Sequence, residues 1–171
     1  MHQKVLVVVD MQNDFISGSL GTKEAQAAVK SVKKKMDKAV KEKREVVYTR
    51  DTHGANYLDT QEGKKLPVPH CIRYTSGWEI EKSLQLPNGK VFDKDTFGSL
   101  DLAHYLLSVG CEEVELVGVC TDICVISNAL LIKAYLPEVK ITVDSHCCAG
   151  TTPDNHAQAL RAMAQCQIEI V

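Results

Sequence analysis

Residues Val5-Leu6-Val7-Val8-Val9 form an unbroken apolar run that stops at Asp10. Five consecutive apolar residues, four of them β-branched, leave no polar face for water. A strand of this kind is covered on both sides, as in a parallel sheet flanked by helices. The run therefore excludes a hairpin-built sheet with one wet face. It is also far too short to span a membrane.

The rest of the chain repeats the same alternation. Thr22 caps a helix whose Val29, Val32, Met36 and Val40 recur at helical spacing, with lysines on the other face. Strand character returns at Glu45–Thr49, briefly at Val91-Phe92, then at Val114–Val119, Val139–Val143 and Cys166–Ile170. Between these lie a helix capped by Ser99 and ended by Gly110, a helix expected to be capped by Asp122 and ended by Pro137, and a helix opened by Pro153. Strand–helix alternation of this kind predicts an α/β/α sandwich of three layers around a mainly parallel sheet, with residues 1–171 forming one domain.

Residues 50–90 break the pattern. They carry glycines and prolines and no sustained period, so they read as a long functional loop with a short helix near Gly77–Glu81. Asp51, His53 and His70 lie within it.

Composition removes several classes of function. The 20 basic and 22 acidic side chains leave a net charge of -2, and no basic run is interleaved with aromatics, which argues against nucleic-acid binding. Lys33-Lys34-Lys35 and Lys38 fall on a helix face expected to be solvated. Seven cysteines make no closed disulfide set and have no zinc-finger or iron–sulfur spacing. No signal peptide precedes the first strand, so a reducing cytoplasm and no membrane association are expected. The first strand leads into Asp10-Met11-Gln12-Asn13 where a dinucleotide site requires glycines.

In a parallel sheet the carboxyl ends of the strands converge on one crevice. That places Asp10, Thr49–Asp51, Cys120–Cys124 and Asp144–Cys147 together, with Lys94 joining from a polar loop. Cys124 stands where a strand pattern changes to a helical one, a place where backbone amides lower a thiol pKa. A cysteine nucleophile with a carboxylate base and a lysine satisfies the needs of amide cleavage. A buried inert thiol beside a bystander ion pair is the alternative.

Val9-Asp10-Met11-Gln12-Asn13-Asp14-Phe15, Thr49-Arg50-Asp51-Thr52-His53, Lys94 and Gly118-Val119-Cys120-Thr121-Asp122-Ile123-Cys124-Val125 resemble, in that order, the motifs of the isochorismatase-like cysteine hydrolases. Because Cys124 is present, and because Asp51, His53 and Pro69-His70-Cys71 match a metal-binding pattern, the chain is most similar to the nicotinamidase branch. The resemblance implies Asp10, Lys94 and Cys124 as catalytic residues and the backbone of Cys120 and Cys124 as oxyanion hole. It further implies Phe15 and Cys120 at the substrate, and a cis bond at Val119-Cys120. It implies a metal on Asp51, His53 and His70, zinc first, with iron or manganese as alternatives and water completing the shell.

The implied reaction is conversion of nicotinamide to nicotinate and ammonia, in nicotinamide salvage, through an acyl group on Cys124. A different small-amide or carbamoyl hydrolase, and a metal- or metabolite-binding protein without activity, are the other readings. The expected partner is a small amide; self-association fits the family, with no sequence stripe to fix a subunit count. Two positions depart from the nicotinamidase pattern: Pro67 stands where tryptophan is common, and Tyr74 where glycine is common. Trp78 and Tyr57 are the alternatives for the lost aromatic wall, with a packing role favoured for each.

Overall fold

A computed structural model describes residues 3–171. Six strands, β1 (Gln3–Val9), β2 (Glu45–Asp51), β3 (Lys90–Lys94), β4 (Cys111–Val119), β5 (Lys140–Ala149) and β6 (Glu169–Ile170), form one sheet in the order β3-β2-β1-β4-β5-β6. Every pairing is parallel. The apolar run of β1 behaves as its composition requires. Leu6 and Val8 enter the core on one face, and Val5, Val7 and Val9 the core on the other. All five are fully buried, each contributing about 1.5–3 kcal/mol of transfer free energy.

Helix α2 (Lys23–Lys41) covers the first face through Ala25, Ala28, Val32, Met36 and Ala39. Its Thr22 cap accepts a hydrogen bond from the Ala25 amide. Val40, expected on the apolar stripe, is exposed, and Ala39 takes the core position. Helices α4 (Leu100–Ser108), α5 (Ile126–Tyr135) and α6 (Pro153–Gln165) supply Leu102, Leu106, Ala129, Ile132 and Met163 to the second face. Two short helices, α1 (Asn13–Ile16) and α3 (Gln61–Lys65), lie in the connections after β1 and β2. Among the described residues no helix is long and apolar enough to cross a membrane.

Several local expectations are corrected. Gly77–Glu81 is not helical; Ile80 instead makes an antiparallel bridge with Gln12, and a 3-10 turn follows at Lys82–Leu84. Asp122 does not cap α5. Residues Thr121–Val125 form a π-helical turn without a side-chain cap, and Asp122 turns to Thr151. β5 runs on to Ala149, so Asp144 lies mid-strand, paired with Lys35 of α2, and His146 is solvent-exposed. Neither reaches the crevice. Lys94 is the last residue of β3, not part of a loop, and its backbone pairs with Asp51. The last strand keeps only two of its five expected residues, because Gln167 takes a left-handed conformation that turns the chain.

The chain leaves β1 in one direction toward β2 and β3, and in the other toward β4, β5 and β6. The crevice of such a sheet opens where the order reverses, here between the carboxyl ends of β1 and β4. Asp10 follows β1, and Cys120–Cys124 follow β4. Gly118 lets these two strands close up there: at φ +122° it presses on β1 so tightly that a Cβ would sit 2.1 Å from the Val9 carbonyl oxygen.

Candidate active site

The structure brings Asp10, Lys94 and Cys124 together at that reversal. Asp10 is fully buried in a left-handed backbone conformation. Its Oδ1 accepts a hydrogen bond from Thr49 Oγ1 at 2.7 Å. Its Oδ2 lies 2.7 Å from Lys94 Nζ but makes no well-directed hydrogen bond to it. One oxygen is thus held by its neighbour on β2, and the other keeps a lone pair inside the site. Lys94 Nζ also lies 3.5 Å from Cys124 Sγ and 3.2 Å from Asp51 Oδ1. The peptide bond Val119-Cys120 is cis.

Burial dominates the electrostatics. It lifts the Cys124 thiol well above its ordinary value; Asp10 adds to that, and Lys94 opposes it. Asp10 is likewise raised by burial, against the pull of Lys94. Burial works against the charge on Lys94, but Asp10, Cys124 and Asp51 together more than offset it and raise its pKa. The lysine therefore stays charged, beside a thiol and a carboxyl group that burial pushes toward their neutral forms.

The metal expectation gains a fourth residue. Asp51, His53, Glu62 and His70 present donor atoms that all lie within 4.8 Å of one another. Asp51 Oδ2 is 2.9 Å from His53 Nε2 and 3.5 Å from His70 Nε2. Glu62 Oε1 is 3.8 and 3.7 Å from the same two nitrogens. Ligands held about 2.0–2.2 Å from a zinc ion in tetrahedral array are roughly 3.3–3.6 Å apart, so the donor set fits a divalent cation. His70 is also oriented for it. Its Nδ1 donates to the Val68 carbonyl at 2.8 Å, which leaves Nε2 with the lone pair. Burial and the charge of Asp51 raise Glu62, against the pull of His53, His70 and Lys94. Tyr57 packs against both imidazole rings, at 4.8 and 5.0 Å.

Glu62 was missed because it belongs to α3, a five-residue helix inside a segment without a period. The available signal was local: Thr60 caps that helix through the Gly63 amide, and an acid in its first turn lies between two candidate ligands. Gln12 is the second omission. It is fully buried; its Oε1 accepts from the Asp51 amide at 2.7 Å, and its Nε2 donates to the Asp51 and Trp78 carbonyls, each at 2.8 Å. Asp14 accepts from the Cys71 amide at 2.7 Å. The residues after β1 thus fasten the backbone of Asp51 and of Cys71, next to His70.

A cavity of about 510 Å³ opens onto both groups. Asp51, Glu62, His70, Cys120 and Cys124 line its polar side, and Phe15, Leu20, Leu66, Phe97 and Ile123 its apolar side. Phe15 and Cys120 both line this cavity. Trp78 and Tyr57 do not line it and are packing residues, the role favoured for them from the sequence. Trp78 is buried with its Nε1 donating to Thr52 Oγ1 and its ring under the Arg50 guanidinium, and Tyr57 packs behind the histidines. Tyr74 adopts the left-handed φ of +69° for which glycine is favoured, and its side chain is 83% exposed, away from the cavity.

The model of the Isochorismatase domain matches residues 4–171. The chain belongs to the isochorismatase family. Among curated family members, the nicotinamidase/pyrazinamidase of Mycobacterium tuberculosis is 28% identical over 98% of both chains. Among solved structures, the pyrazinamidase of Pyrococcus horikoshii in complex with zinc superposes with a TM-score of 0.88 at 28% identity, covering 99% of this chain and 98% of that one. N-carbamoylsarcosine amidase from Thermoplasma acidophilum superposes with a TM-score of 0.83 at 26% identity, covering 98% and 95%. The mainly parallel α/β architecture is the isochorismatase-like hydrolase fold.

Proposed function

We propose that this protein is a metal-assisted cysteine amidohydrolase that converts nicotinamide to nicotinate and ammonia. The observation that carries the reading is one cavity lined both by Cys124, the thiol of the Asp10–Lys94–Cys124 cluster, and by Asp51, Glu62 and His70 of the four-residue cluster that could hold a metal. Similarity to nicotinamidase/pyrazinamidase sequences supports the substrate. A cytoplasmic role in nicotinamide salvage follows from that substrate.

Asp51, His53, Glu62 and His70 would hold the ion; zinc, iron and manganese all suit an imidazole–carboxylate set. When bound, it supplies a Lewis-acid contact for the pyridine nitrogen of the substrate. The remaining chemistry belongs to the chain. Asp10 Oδ2 takes the thiol proton as Cys124 Sγ forms a bond to the amide carbon. Backbone amides of Cys120 and Cys124 donate to the developing oxyanion. Asp10 returns the proton to nitrogen as the C–N bond breaks, and ammonia leaves. Asp10 then deprotonates a water that attacks the thioester; the C–S bond breaks and the sulfur recovers a proton. Lys94 keeps Asp10 ionisable and opposes the repulsion between carboxylate and thiolate.

The test is formation of nicotinate and ammonia from nicotinamide by protein loaded with zinc, iron or manganese. Turnover that chelation abolishes supports the reading; folded, reduced, metal-loaded protein without turnover sinks it.

A further inference from the structure

Asn128, on α5, is fully buried and takes no part in the chemistry above. Its Nδ2 donates to the Cys124 carbonyl at 2.8 Å and to the Phe97 carbonyl at 3.1 Å. Its Oδ1 accepts from the Ser99 amide at 3.0 Å. One side chain thus ties the backbone of the thiol residue to the connection between β3 and α4, which carries Phe97 into the cavity wall. Gly98 seats this connection on α5: a Cβ there would lie 3.3 Å from Leu131 Cδ2. Three hydrogen bonds on one planar amide, two of them buried and that to Phe97 part-buried, fix direction as well as distance.

We infer that Asn128 is a positioning residue for substrate choice, which holds the Phe97 wall in register with Cys124 so that the cavity favours ring-bearing acyl groups over short aliphatic ones. The inference rests on the cysteine reading of the site but requires neither a metal nor turnover. Asn128→Thr separates its two tasks. A threonine hydroxyl on a helix bonds the carbonyl four residues back, here that of Cys124, yet is too short to hold Phe97 and Ser99.

The test uses aldehydes, which add reversibly to a thiol: sulfur bonds to the carbonyl carbon, the thiol proton ends on oxygen, and nothing is released. Dissociation constants of benzaldehyde and acetaldehyde are measured on the full-length wild type, Asn128→Thr, Phe97→Ala and the double variant, with Cys124→Ala as blank. Asn128→Thr is expected to lower the preference for benzaldehyde by about tenfold in the wild-type background, and to do so no further once Phe97 is gone, because neighbours that act together are non-additive. Acetaldehyde binding should change by less than about twofold, unlike under a general loosening of the fold. Equal losses for both aldehydes, or additive losses in the double variant, would overturn the inference. Asn128→Ser, which keeps the same back-bond, repeats the comparison if Asn128→Thr does not fold. Aldehyde binding without nicotinamide turnover would count against the proposed reaction alone. Failure of wild type to bind either aldehyde above the Cys124→Ala blank would overturn both.

Discussion

Lys94 Nζ and Asp51 Oδ1 meet at 3.2 Å, while Asp51 Oδ2 faces His53 at 2.9 Å. One carboxylate therefore serves both halves of the cavity, touching the lysine of the thiol cluster and the imidazoles of the metal cluster. Gln12 fixes it from the backbone side.

Removing the lysine tests the charge balance. Lys94→Met leaves Asp10 and Asp51 without their shared cation, and breaking a buried pair costs about 3–5 kcal/mol. Asp10 is already raised by burial, and the substitution raises it further. For a carboxyl group with a raised folded-state pKa, stability is fully present below the unfolded value and is lost as pH rises through the folded one. The gap in Tm between wild type and Lys94→Met should therefore widen as pH rises from acidic to neutral. A gap that does not vary with pH would contradict the assignment of Lys94 as counter-charge to Asp10.

The thiol gives a second pH signature. Burial and Asp10 raise Cys124 above the ordinary thiol value of 9.0, and Lys94 holds it down. Carbamidomethylation by iodoacetamide, followed on the Cys124 peptide, should rise with pH and reach half-maximum above 9.0. In Lys94→Met the midpoint should move higher. A midpoint below the ordinary value would show that the turn after β4 activates the thiol more than burial suppresses it.

Metal binding should report on Glu62 independently of activity. Zinc at about a hundred times its dissociation constant adds roughly 2.7 kcal/mol to stability and raises Tm. Glu62→Ala should weaken zinc affinity by at least about 100-fold, since even substitutions outside the ligand shell cost 10–100-fold. Titration calorimetry on both proteins checks this. Unchanged affinity would return Glu62 to the role of a solvated neighbour.

The parts of the site that rest on regular strands were legible in the sequence. The apolar run of β1 announced both its burial and the position of Asp10 at its end, and the change of period after Val119 located Cys120–Cys124. Motif order added Asp51, His53, His70 and Lys94. Where the chain is held by side chains and not by period, sequence reading failed. Glu62 sits on a single helical turn, and Asp122 had a better partner in Thr151 than in its own helix. β5 outran its apolar stretch because Asp144 pairs with Lys35 of α2, so a charged residue continued the strand. The wall residue Phe97 follows a strand whose last position, Lys94, reads as loop because it is polar.

Loss of the sulfur should remove catalysis and little else. Cys124 is 4% exposed, and alanine fills most of its volume, so Cys124→Ala should fold with a Tm within a few degrees of wild type, a stability change of about 1 kcal/mol. Its rate should fall by at least about 10³-fold, as for loss of a nucleophile. Circular dichroism melts and initial rates on the same preparations measure both.

The central claim is that nicotinamide passes through a bond to Cys124. Rapid-quench intact-mass spectrometry of metal-loaded protein mixed with nicotinamide measures it directly. The account predicts a transient nicotinoyl adduct that maps to Cys124, forms no later than nicotinate, and is absent in Cys124→Ala. Nicotinate production that continues in Cys124→Ala without any adduct would contradict it.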